Sequence, residues 1–175
     1  MRMQAILIAA ALAAGTSAAA EAQAQSANAE LLNSDGKAIG NVALSQMAQG
    51  VRIFAQASDL PPGQHGFHIH ETGACEAPTF ESAGGHYNPT DQQHGWGNPE
   101  GPHAGDFPNV HVQDDGRLAV EYFTNLVTLE EGDTSLFDDD GSAMVIHASA
   151  DDYETDPAGD AGDRIACGVI EQSGQ

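Results

Sequence analysis

Apolar and polar positions alternate through most of the chain after residue 28, and this period of two predicts short β-strands rather than helices. Ala29-Glu30-Leu31-Leu32 opens the series and Asn33-Ser34-Asp35-Gly36 turns it. Gly40 to Gln46 and Val51 to Ala57 follow, separated at Gln49-Gly50. Pro61-Pro62-Gly63 breaks the pattern before a fourth strand over 66–71. Val110 to Val112, Leu118 to Val127, Ala143 to His147 and Ile165 to Ile170 complete it, with turns at Asp114-Asp115-Gly116 and Asp138-Asp139-Asp140-Gly141. No repeat and no amphipathic helix interrupts the run. About eight short strands in one domain predict a β-sandwich or small barrel.

Two stretches escape the pattern. Residues 149–163 form an irregular acidic loop, and residues 73–108 lose periodicity altogether. A structureless segment longer than about 15 residues in a compact domain is usually functional or disordered. The longer one carries His86, His94, His103 and Asp106, so a bound ion can organise it in place of an apolar core.

The strand over 66–71 supplies the matching half of that idea. Residues two apart on a strand share a face, so His68 and His70 point one way while Phe67 and Ile69 point the other. That is a two-pronged chelate, and His147 closes a later strand that can lie beside it. Neutral imidazoles suit zinc and copper, and three His with one Asp suit tetrahedral zinc. His65 and His111 read as ordinary surface or strand histidines, Glu71 as structural, and Trp96 as a packing or interface aromatic.

Composition narrows the setting. Residues 1–24 combine a short basic start, an apolar run over 5–14 and small-x-small sites, which predicts a secretory signal peptide cleaved between 20 and 24. Residues 25–175 then form one domain with no membrane anchor, in the periplasm or the medium. The two cysteines, Cys75 and Cys167, read as one disulfide in such a compartment. There are 26 acidic and 5 basic residues, a formal net charge of −21. That excess disfavours nucleic acid and anionic membranes as partners and fits a solubilising surface or adaptation to a salty medium.

Five blocks, in order, carry a resemblance: Gly66-Phe-His-Ile-His-Glu71, Ser82-Ala-Gly-Gly-His-Tyr-Asn-Pro89, Gly101-Pro-His-Ala-Gly-Asp106, Val145-Ile-His147 and Gly162-Asp-Arg-Ile-Ala-Cys-Gly-Val-Ile170. Over residues 28–172 the chain resembles the copper/zinc superoxide dismutases, in their bacterial, exported form. The resemblance implies an eight-stranded Greek-key β-sandwich or flattened barrel with two long functional loops. It implies one copper, cycling between Cu2+ and Cu+, and one Zn2+. His68, His70, His86 and His147 fall at copper positions; His86, His94, His103 and Asp106 fall at zinc positions, with His86 as the bridge. Asp151 falls at the outer carboxylate that joins His68 to His94, and Arg164 at the arginine that binds the anion. Cys75 and Cys167 fall at the intrasubunit disulfide. The implied activity is dismutation of superoxide, by a monomer or homodimer. A domain that carries copper without turnover, and a zinc-stabilised adhesion sandwich, are the alternatives. Retention of every copper position and of Arg164 argues against both. The chain departs from many relatives in the loop 149–163, which holds six acidic residues and no lysine.

Overall fold

Inward-facing alanines and aliphatics define the first three strands. The computed structural model describes residues 25–173; the predicted signal peptide, 1–24, lies outside them. β1 (Ser26–Asn33) buries Ala27, Ala29 and Leu31; β2 (Ala38–Met47) buries Ile39, Val42 and Leu44; β3 (Gly50–Ala57) buries Val51, Ile53 and Ala55. The remaining strands are β4 (Gly63–His65), β5 (Phe67–His70), β6 (Val110–Val112), β7 (Leu118–Thr124), β8 (Ala143–His147), β9 (Arg164–Val169) and β10 (Glu171–Gln172). Glu81–Ala83 is a 3-10 turn, the only helical segment among the described residues.

The strands pair antiparallel in the order β5-β8-β9-β1-β2-β3-β7, with β10 against β1, while β4 pairs with β6. β3 and β7 are neighbours although three strands separate them in the chain, and β8 returns between β5 and β9. This is the Greek-key connectivity, curled into a flattened barrel. Phe67, Ile69, Met144 and Ile146 join the β1–β3 residues in the main core.

Two differences from the periodicity have local causes. The strand expected over 66–71 is present as β5, but a further short strand, β4, precedes it: β4 pairs with β6 and β5 pairs with β8, so the chain changes partner at Gly66. The strand expected to reach Val127 stops at Thr124, because its partner β3 begins only just beyond the Val51–Thr124 pair. Val127 and Leu129 remain buried in the core without a ladder, so their apolar pattern reports burial rather than strand.

A smaller cluster of Phe80, Ala83, Ala143, Val145 and Cys167 lies on the opposite face of β8. Over it the Cys75–Cys167 disulfide closes, with a Cα–Cα distance of 5.6 Å and a sequence separation of 92. In the loop-entropy account a bridge over that span contributes roughly 3–5 kcal/mol. It ties the start of the long loop to β9, three residues from Arg164.

Candidate metal centre

β5 is buried on both faces, and its alternation decides what each face does. Phe67 and Ile69 enter the core; His68 and His70 point the other way, beneath the long loop. The strand pairs with β8 along one edge only. Its other edge is taken by the loop: Ile69 donates to Gly105 O at 2.9 Å and accepts from Tyr87 N–H at 2.8 Å, and Gly105 donates to Tyr87 O at 2.9 Å. A Cβ at Gly105 would stand 2.3 Å from Ile69 O, so only glycine permits this approach. Docking Tyr87 and Gly105 on the edge delivers their chain neighbours, His86 and Asp106, beside the two strand histidines.

His147 arrives from β8. The β8–β9 ladder shifts register between Ile146 and His147, which pairs His147 with Arg164. Such an irregularity re-aims a side chain. His68, His70, His86 and His147 thus gather with one nitrogen each within 4.8 Å of the others, all four buried. A second group, His86, His94, His103 and Asp106, meets the same limit and shares His86. Asp106 is its hub: Oδ1 lies 2.8 Å from His86 Nδ1 and 3.3 Å from His103 Nδ1, and Oδ2 lies 3.2 Å from His94 Nδ1.

Asp151 joins the groups from behind. Its Oδ2 stands 2.7 Å from His68 Nε2 and its Oδ1 3.1 Å from His94 Nε2. A carboxylate on the outer nitrogen fixes a ring's tautomer and leaves the inner nitrogen's lone pair free. The inner atoms, His68 Nδ1 and His94 Nδ1, have no hydrogen-bond partner despite burial, and neither do His86 Nε2 and His103 Nδ1. Buried polar atoms are rarely left unpaired. Four orphaned imidazole nitrogens, all aimed into the two clusters, therefore fit two cations of the kind that N/O donors hold. Imidazole-rich and His3Asp sets suit copper and zinc respectively.

Protonation differs between the two groups. Burial is the main influence on the copper-type set: it brings His68 down to about 3 and His147 to about 4, and holds His70 well below and His86 below the ordinary value of 6.5. These rings are neutral and ready to ligate. His94 is different. Burial pulls it down, but the carboxylates of Asp106 and Asp151 outweigh that and raise it to about 9. Asp106 and Asp151 are themselves held well below the carboxylate range; burial opposes this, and the imidazoles surrounding each carboxylate overcome it.

A cleft of about 710 Å³ opens onto the centre, lined by His70, His86, His103, His147, Asp156 and Arg164. Arg164 starts β9 and is braced by two carbonyls, donating at 2.6 Å to Phe80 O and at 2.6 Å to Gly84 O. Both lie in the segment the disulfide anchors. Glu71 is a brace as well, its Oε1 accepting Gly85 N–H at 2.8 Å.

All the candidate residues are thus brought to one place. His65 is the residue whose setting the sequence reading missed. It sits on β4 but is buried, with Nδ1 2.8 Å from His147 O and Nε2 2.8 Å from Pro61 O, so it supports the backbone of a candidate ligand. Its position three residues before His68 was the available signal. Trp96, read as packing or interface, is exposed. His111 is an exposed strand histidine, as expected.

The comparisons with known proteins agree with this geometry. Residues 38–170 match the family model of copper/zinc superoxide dismutase. A Cu-Zn superoxide dismutase of Aquifex aeolicus is 52% identical over 146 residues, covering 82% of this chain and 85% of the relative. That of Caulobacter vibrioides is 41% identical over 148 residues, covering 83% and 85%. A crystal structure of a double mutant of a SOD-like protein from Bacillus subtilis superposes with a TM-score of 0.79 at 46% identity, covering 81% of this chain and 95% of that one. With two histidine-rich clusters joined at one imidazole, on the matching fold and within the matched residues, the chain belongs to the copper/zinc superoxide dismutase family.

Proposed function

We propose a division of labour among the gathered residues for the family's reaction. The chain is an oxidoreductase that dismutes superoxide to O2 and H2O2, with one copper and one zinc. Bound copper supplies one-electron redox chemistry, and bound zinc, which has none, supplies charge and structure. His68, His70, His86 and His147 would hold the copper. His86, His94, His103 and Asp106 would hold the zinc.

His86 is the residue with two tasks. With a cation in each group, its ring would have to give up both protons. His86 Nε2, a buried atom with no hydrogen-bond partner, could hold one proton and pass it to a product anion in the cleft, and the second proton that peroxide needs would come from solvent. Arg164, beside His147 at the cleft, binds the anionic substrate by a charge-assisted hydrogen bond. Asp151 keeps the outer nitrogens of His68 and His94 protonated and their rings oriented.

The observation that supports this reading most is the sharing of His86 between both ligand groups. Loading the full chain with zinc alone, then with copper, and following superoxide decay tests it. Decay accelerated only in the copper-loaded protein agrees. Tight uptake of both metals without acceleration points instead to a copper carrier.

We place the working protein outside the cytoplasm, as residues 25–175 after loss of a signal peptide, in the periplasm or the medium. The apolar start and the disulfide support this. No helix among the described residues is long and apolar enough to cross a membrane.

A further inference from the structure

Asp151 can orient His68 and His94 only if its own carboxylate is fixed, and the loop that carries it has little core to rest on. Most of 152–157 is exposed. What holds it is a set of hydrogen bonds from two residues outside the ligand list.

Tyr153 makes three of them, each to a different part of the molecule. Its N–H donates to Asp151 Oδ1 at 2.6 Å. Its carbonyl accepts from Gly97 N–H at 2.9 Å, in the loop that carries His94. Its phenol oxygen accepts from Asn109 N–H at 2.7 Å, three residues beyond Asp106. To face all three, Tyr153 adopts φ of +66°, a left-handed conformation that a side chain disfavours. Residues held in such conformations cluster at functional sites, where the surroundings impose them. The neighbouring loop leaves the space: a Cβ at Gly95 would stand 2.0 Å from Tyr153 O.

Asn109 completes the grip. Its Oδ1 accepts Asp151 N–H at 2.8 Å and its Nδ2 donates to Asp151 O at 2.8 Å. One side-chain amide thereby pairs with both backbone groups of Asp151, as a strand neighbour would. Asp151 is fixed through its backbone by Asn109 and through its carboxylate by Tyr153.

We infer that Tyr153 and Asn109 are positioning residues that fix the Asp151 carboxylate, and through it the rings of His68 and His94. The inference rests on the proposed role of Asp151 as the link between the ligand groups. It assigns to Tyr153 a part in metal retention although it touches no ligand atom. Losing an outer partner of a metal ligand typically costs 10- to 100-fold in affinity. A residue that acts through that partner costs less alone, and nothing once the partner is gone.

The test is zinc affinity of the full chain, from competition with a chromophoric chelator, in Tyr153→Phe, Asn109→Ala, Asp151→Asn and the double variant Tyr153→Phe/Asp151→Asn. Tyr153→Phe removes one oxygen and keeps the ring, so it folds where a larger change fails. The expected result is a several-fold weakening in Tyr153→Phe, about tenfold in Asn109→Ala, and about 10- to 100-fold in Asp151→Asn. The double variant should bind zinc no more weakly than Asp151→Asn alone. Full additivity in the double variant, or unchanged affinity in Tyr153→Phe and Asn109→Ala, overturns the inference. Unchanged affinity in Asp151→Asn overturns the underlying role of Asp151 and the inference with it. The visible spectrum of cobalt(II) bound in place of zinc gives a second readout. It should shift in Tyr153→Phe, which a merely global loss of stability does not produce.

Discussion

His70 Nε2 and His147 Nε2 face each other at 3.3 Å inside the protein, and neither has a hydrogen to offer the other. The Nδ1 of His70 lies 3.0 Å from Gly84 O and that of His147 3.1 Å from Gly162 O, and a carbonyl accepts only from N–H. Each neutral ring has thus spent its proton on the outer side. Two lone pairs at this distance repel until a cation lies between them. Replacing His147 with Ala should therefore abolish tight copper binding while zinc is retained, since His147 belongs to one group only. Dismutation should fall at least about a hundredfold, the upper range seen when even an outer partner is lost. Metal analysis beside a superoxide-decay assay checks both halves; loss of zinc together with copper would contradict the separation of the sites.

Arg164 should matter for turnover and not for metal. Its two braces to Phe80 O and Gly84 O involve no ligand side chain, so Arg164→Ala leaves both metal sets intact. A charge-assisted hydrogen bond contributes about 1.5–3 kcal/mol, which corresponds to a rate lower by roughly 10- to 100-fold. Unchanged turnover at full metal content would refute its role in binding the anion.

The metal-free chain should lose stability in acid. His68, titrating at about 3, and His147, at about 4, are both lowered from 6.5 by burial. His70 and His86 are lowered too. The unfolded state then binds more protons than the folded one as pH falls below about 6.5, and stability declines towards pH 4. Asp106 and Asp151 act in the same direction, because their lowered values give stability that is lost on acidification. His94 runs the other way: raised to about 9, its contribution is present below 6.5 and lost as pH rises through 9. Four rings and two carboxylates outnumber it on the acid side. Thermal unfolding of the metal-free protein should show a midpoint lower at pH 4.5 than at pH 7 by more than about 5 °C; equal midpoints would contradict the burial argument.

Salt should not slow the enzyme. Asp152, Glu154, Asp156, Asp160 and Asp163 are exposed along the loop 149–163, whereas Asp151 is buried between two rings. An incoming anion meets repulsion from these and from a net charge of −21, with Arg164 and the metals as local attraction. Added NaCl screens the outer charges beyond about 8 Å at physiological ionic strength. The decay rate should stay flat or rise with salt; a steep fall would show that long-range attraction dominates.

Much of this centre was legible in the sequence, because strand alternation and motif spacing are local. His68 and His70 share a face by the period of two alone. His86, His94, His103 and Asp106 stood out because their loop had no other reason to be ordered. The assignment of Asp151 and Arg164 came from resemblance, since nothing local marks one aspartate among 26 acidic residues. The remainder was not legible because it depends on tertiary contacts. The partner change at Gly66, the burial of His65 against the His147 carbonyl, and the contacts of Asn109 with Asp151 and Tyr153 join residues far apart in the chain. Tyr153 in particular carries no sequence signal, as its left-handed backbone is imposed by what surrounds it.

In the proposed centre His86 would carry copper on Nε2 and zinc on Nδ1. A crystal of the copper- and zinc-loaded protein, with anomalous data collected at both absorption edges, measures this directly. The account predicts two separate peaks flanking the His86 ring, copper towards His68, His70 and His147 and zinc towards His94, His103 and Asp106. A single peak, or copper in the Asp106 group with the other group empty, would contradict it.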